Sequence, residues 1–209
     1  MHFNPESPFF QFMNTLASFI GLNVLFLITC LPVITIGPAL AALYTVTMQE
    51  ARKESGYVFT TYLKAFKNNF RQGVAAFLIF LVLALVFLYN VFFWGEWNTA
   101  LGNTILFLMT ALSLFLILIF LYFFPLMARF ENTIKQTFKN AFCLAVTNPK
   151  STLGLLGLLA VFVLFCLGVP SFAKIFMLLL GFTFLAFCNS MLFVKIFRSY
   201  EEDTNINQL

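Results

Sequence analysis

Long apolar runs fill most of the chain, and short polar stretches separate them. A bilayer-spanning helix needs about 20 mostly apolar residues. Five segments approach or meet that length: residues 12–31, 74–93, 104–126, 152–169 and the run within 173–197. Between them lie two segments of a different kind. In residues 57–71, Phe59, Tyr62, Leu63, Phe66 and Phe70 recur at helical spacing, with Lys64, Lys67, Asn68 and Arg71 on the other face. In residues 127–146, Phe130, Ile134, Phe138, Ala141 and Phe142 oppose Glu131, Asn132, Lys135, Lys139 and Asn140. An apolar stripe backed by a basic face predicts a helix lying in the membrane interface.

The first span runs into a break. Pro32 and Pro38 each lack a backbone N–H, and Ile36-Gly37-Pro38 forms a flexible joint. The pattern predicts a helix ending near Leu31, a non-helical turn over residues 33–38, and a helix restarting near Pro38 with proline in its first turn. Residues 39–48 are too few to cross a bilayer, so a half-helix or interfacial elbow is expected there. Pro32, Gly37 and Pro38 are the candidate break residues.

Smaller features mark the other boundaries. Gly73 is expected to separate the first amphipathic helix from the second span, and Ser151 to cap the fourth. Trp94 and Trp97 stand where an aromatic belt belongs. Gly154 and Gly157 suit close helix packing. The polar tail, residues 201–209, is expected to fray.

The expected class is therefore all-α: one polytopic membrane domain over residues 1–209, with about five spanning helices, a short broken helix and two interfacial helices. Phe66-Lys67-Asn68-Asn69-Phe70 matches Phe138-Lys139-Asn140-Ala141-Phe142. Residues 1–56 then form the first span and break, and 57–126 and 127–200 read as a parallel repeat of an interfacial helix and two spans.

Composition agrees with the class: the 209 residues are 61% hydrophobic and only 10% charged, against about 25% charged in soluble domains. The net charge of +4 is modest, and the basic residues sit in a few loops, which fits membrane topology better than a nucleic-acid footprint. Arg52, Lys53, Lys64, Lys67 and Arg71 follow the first span, Arg129, Lys135, Lys139 and Lys150 the third, and Lys195 and Arg198 the fifth. Only Lys174 falls on the other side. The positive-inside rule places the N-terminus outside and the C-terminus in the cytoplasm.

Catalytic chemistry is hard to find. The one histidine is His2, and no span carries Asp, Glu, Lys or Arg near its middle, where proton and ion relays use them. No phosphate loop, nucleophile elbow or zinc motif occurs. The four cysteines have no Cys-x-x-Cys spacing and read as small buried hydrophobes. No enzyme activity, cofactor or metal is expected. Asn23, Asn90 and Asn189 admit two readings: a polar patch for a neutral solute, or interhelical hydrogen bonds. Lys64, Lys67, Arg71, Lys135 and Lys139 likewise suit either anionic lipid headgroups or a partner docked on the cytoplasmic face.

The stretch Leu31-Pro32-Val33-Ile34-Thr35-Ile36-Gly37-Pro38-Ala39-Leu40, followed by Phe66-Lys67-Asn68-Asn69-Phe70-Arg71-Gln72-Gly73, resembles the YesL-like family of bacterial integral membrane proteins. The resemblance covers most of the chain in layout, and the Pro-x-x-x-x-Gly-Pro-Ala segment is its most specific part. Members are commonly encoded beside carbohydrate ABC importers in Gram-positive bacteria. The resemblance implies a bacterial plasma-membrane protein, auxiliary to an importer of sugars or oligosaccharides and partnered by its permease subunits. It supplies no catalytic residues. An independent small-solute transporter or channel is the alternative.

Overall fold

The computed structural model describes residues 8–206 apart from 55, 98, 169 and 170, with side chains described for 13–168, 178–198 and 200 within those limits. The expected N-terminal tail, His2 included, lies outside the described residues. Eight α-helices and no strand occur among them: α1 Pro8–Cys30, α2 Ile36–Ala51, α3 Val58–Asn68, α4 Phe70–Gly95, α5 Ala100–Arg129, α6 Ile134–Thr147, α7 Pro149–Gly168 and α8 Ser171–Ile206. The class is the expected one. Five stretches are long and apolar enough to cross a membrane, falling in α1, the α3–α4 segment, α5, α7 and α8. Their outer faces carry side chains such as Val82, Leu85, Phe107, Leu114, Val161 and Leu164, which suits solvation by lipid.

Several helices outrun their apolar cores. α5 continues through Pro125 to Arg129, so residues 127–129 belong to it and not to the amphipathic helix that follows. α7 starts at Pro149, which leaves Ser151 inside the first turn and not at the cap; proline there loses only an N–H that had no helical partner. α8 extends through residues 201–206, where a frayed tail was expected.

The first amphipathic helix ends at Asn68, five residues before Gly73. Asn69 turns the chain while its backbone N–H and its Nδ2 both donate to the Ala65 carbonyl, at 3.0 Å each. Gly73 lies within α4 and has a packing role instead.

The break after α1 is a single 3-10 turn, Val33–Thr35, entered through extended Pro32. Thr35 holds it closed: its hydroxyl lies 2.6 Å from both the Thr29 and Pro32 carbonyls and donates to one or the other. These are acceptors left open where α1 ends. α2 then resumes at Ile36, with Gly37 and Pro38 in its first turn, and runs for 16 residues, longer than the half-helix expected.

α2 is the core of the fold. Ala39, Ala41, Ala42, Leu43, Val46, Thr47 and Met48 are buried around its circumference, and α1, α3, α4, α5 and α8 all pack on it. Its small side chains let five helices approach one backbone. Both of its ends lie at the same end of the bundle. Gly37 touches Gly73 in the first turn of α4, while Arg52 at its C-terminus lines one cleft with Arg129, the last residue of α5. α4 and α5 are antiparallel neighbours joined by a short link, so the start of one and the end of the other share a level. α2 therefore lies across the bundle and does not traverse it.

Candidate functional site

The bundle has one basic end. The α2–α3 connection, α3, the start of α4, the end of α5, α6, the start of α7 and residues 195–198 of α8 meet there, carrying every Lys and Arg of the chain except Lys174, in the first turn of α8. Lys64, Lys67 and Arg71 are exposed, as are Lys135 and Lys139.

An aromatic residue anchors each amphipathic helix to the spans. Tyr62 on α3 is fully buried, and its hydroxyl lies 2.6 Å from Thr29 Oγ1. Thr29 donates its own hydrogen to Phe26 O at 2.9 Å, so Tyr62 is the donor to Thr29. On α6, Phe138 stacks on Phe80 of α4 with centroids 4.7 Å apart and meets Phe123 of α5 at 5.0 Å. Phe59, Leu63 and Phe142, expected on the apolar faces, remain about half exposed.

Between α3 and the α5–α6 connection lies a polar cleft of about 670 Å³. Thr45, Asn68, Asn69, Gln72, Arg129 and Asn132 line it, and Gln72 Nε2 donates to the Asn132 carbonyl at 2.6 Å. A second cleft of about 560 Å³ opens beside it, where α2, α5 and α8 meet. Its lining includes Met48, Arg52, Glu54, Arg129, Phe197 and Arg198. Arg129 borders both.

The candidate amides do not converge. Asn23, fully buried on α1, donates to Leu178 O at 2.6 Å and accepts from the Thr183 N–H at 2.9 Å, tying α1 to α8. Asn189 on α8 pairs with the Tyr44 hydroxyl of α2, while its Oδ1 is buried without a hydrogen-bond partner. One turn of α2 further on, Thr47 and Ser190 meet at 2.8 Å. Asn90 belongs to neither group; it bonds Val86 O of its own helix. Trp94 and Trp97 cluster with Phe93 at the far end of α4. Among the described residues no group of three or more His, Cys, Asp or Glu side chains is placed to hold a metal ion.

In the sequence Arg52, Arg129 and Arg198 stand out only as topology markers. A signal was present: each follows the end of an apolar stretch on the same side, so a bundle must gather their side chains at one level.

Residues 19–91 match a family of unknown function, DUF624. The match runs from mid-α1 to near the end of α4 and takes in the break, all of α2 and the α3 anchor. No curated protein and no solved structure matches the chain.

Proposed function

We propose that this chain is a non-enzymatic accessory protein of the bacterial plasma membrane that offers a docking face at its basic end. The observation that carries the reading is the gathering there of two exposed basic helical faces around a polar cleft of about 670 Å³. By the positive-inside rule this end is cytoplasmic and the N-terminus is outside. The YesL-like resemblance supports the permease of a carbohydrate or oligosaccharide ABC importer as the partner, and the DUF624 match is compatible with it. Purification in mild detergent from cells expressing such an importer should bring the permease along. Exchanging Lys64, Lys67 and Arg71 for Glu should abolish that recovery while the protein still inserts. Recovery of the wild-type protein alone would reject the reading.

One observation favours a transporter instead: the unpartnered Asn189 Oδ1 beside the Thr47–Ser190 pair is polar capacity inside the bundle. Sugar flux into liposomes holding only this protein would select that alternative.

A further inference from the structure

We propose that a groove between α7 and α8 holds one acyl chain of a membrane lipid, drawn from the leaflet opposite the basic end. Leu158, Phe162 and Phe165 form its α7 wall, and Gly181, Phe184 and Cys188 its α8 wall. Each set recurs on one helix face, so the two helices present these walls to each other across a gap of about 300 Å³. No charged, amide or hydroxyl side chain lines it among the described residues. Phe162 meets Phe182 of α8 with ring centroids 5.8 Å apart, which bridges the helices along one edge. Phe165 and Phe184 are exposed, so the groove opens sideways towards lipid. One turn beyond Leu158 it closes: Leu192 Cδ1 lies 3.5 Å from where a Cβ on Gly154 would stand.

The dimensions select the occupant. Leu158 to Phe165 covers about 10 Å of helix axis. A volume of about 300 Å³ over that length leaves a section of about 30 Å². A helix with its side chains is at least about 10 Å across, or about 80 Å² in section, so a helix of a second copy or of a partner does not enter. An extended hydrocarbon chain does. The depth agrees. α7 ends at Gly168, and Leu158 lies about 15 Å further in. That is half of a hydrocarbon core about 30 Å thick, so the groove closes where one leaflet ends. Hydrophobic burial drives nothing between apolar surfaces that already sit in lipid. The chain is held by dispersion contacts from two walls, and an empty groove would forfeit them. The inference rests on the spans alone and not on the docking reading.

The test places a tryptophan in the groove. The full chain carries Trp94→Phe and Trp97→Phe, with Phe184→Trp as the groove reporter or Leu85→Trp, on the exposed face of α4, as the control. Each is reconstituted into phosphatidylcholine bilayers with increasing fractions of phosphatidylcholine brominated along its chains, which quenches an indole on contact. The groove reporter should lose fluorescence in direct proportion to the brominated fraction, because it touches one chain. The control touches several and should fall more steeply. Gly181→Leu fills the groove from α8 and should remove most of the quenching at the groove reporter while leaving the control curve unchanged. Should that variant not fold, Cys188→Phe fills the groove from its closed end and should do the same. Coincident curves for the two reporters would mean contact with bulk lipid only and overturn the proposal. No quenching at the groove reporter would mean that protein covers it, and overturns it as well. So does undiminished quenching in the filling variants.

Discussion

Gly37 and Gly73 face each other backbone to backbone. A Cβ on Gly37 would overlap the Gly73 carbonyl oxygen and come within 2.8 Å of Phe77 Cβ; a Cβ on Gly73 would lie 2.7 Å from Pro38 N. Neither obstacle is the flexible tip of a side chain, so relief requires moving α2 away from α4. Gly37→Ala and Gly73→Ala should each destabilise by about 1–3 kcal/mol, the usual range for overpacking. Thermal unfolding in detergent measures this. Midpoints equal to wild type would mean that the two helices are not in contact.

Gly157 gives the opposite case. A Cβ there would meet nothing within 4 Å, so the close packing expected of it is absent; Gly154 would make only an ordinary contact with Leu192 at 3.5 Å. Alanine is the better helix former by up to about 1 kcal/mol. Gly157→Ala should therefore unfold at the same temperature as wild type or higher. A loss as large as that of Gly37→Ala would show that α7 packs on something at this position.

Tyr62→Phe removes the hydroxyl that reaches Thr29 while keeping the ring in its buried place. The cost should be about 1 kcal/mol, the net value of one such hydrogen bond. Hydrogen exchange should then quicken in α3 more than in α4. A Thr29→Val, Tyr62→Phe double-mutant cycle isolates the pair, and a coupling energy of zero would remove this tether from the account.

Lys53 is the one non-glycine residue with positive φ among those described, at 57°, just past the C-terminus of α2. The left-handed conformation costs an L-residue about 1–2 kcal/mol, and glycine loses about 0.5–1 kcal/mol more backbone entropy on folding. The difference favours Lys53→Gly by up to about 1 kcal/mol. A raised midpoint is expected, and a lowered one would mean that the Lys53 side chain matters more than its backbone.

The spans were legible because a bilayer demands long apolar runs, and α4, α5 and α7 contain them without ambiguity. Helix ends were less legible. Apolarity stops at the membrane, whereas backbone hydrogen bonding carries α8 through Glu201, Glu202 and Asp203. Gly73 illustrates another limit: glycine serves equally as a breaker or as a contact surface, and only the position of Pro38 distinguishes them. The packing of α2 back against the bundle, with Ala39, Ala41 and Ala42 allowing close approach, is legible from the break; its full length and the five helices around it are not. Its alanines and threonines have little hydropathy of their own and acquire meaning when five helices crowd against them. The arginine cleft was hidden for a related reason, since Arg52, Arg129 and Arg198 are far apart in the chain.

Topology has a direct test. In a cysteine-free background, Glu96→Cys at the α4–α5 link should react with a membrane-impermeant maleimide on intact cells. Lys64→Cys on α3 and Lys139→Cys on α6 should react only after permeabilisation. Position 47 would be a poor probe, because Thr47 is fully buried. External labelling at 64 or 139 would invert the orientation and remove the cytoplasmic docking face.

The crosswise placement of α2 also sets an order of biogenesis. Residues 36–51 leave the ribosome early, yet part of their packing surface, around Ser190 and Phe193 of α8, is made last. Until then, Tyr44, Thr47 and Met48 have no wall on that side. A nascent chain halted after α5 should thus hold α2 loosely and expose it to protease, and only release of the full-length polypeptide should lock it. The seam between the first and last parts of the chain is where maturation finishes, and a quality-control protease would find its substrate there.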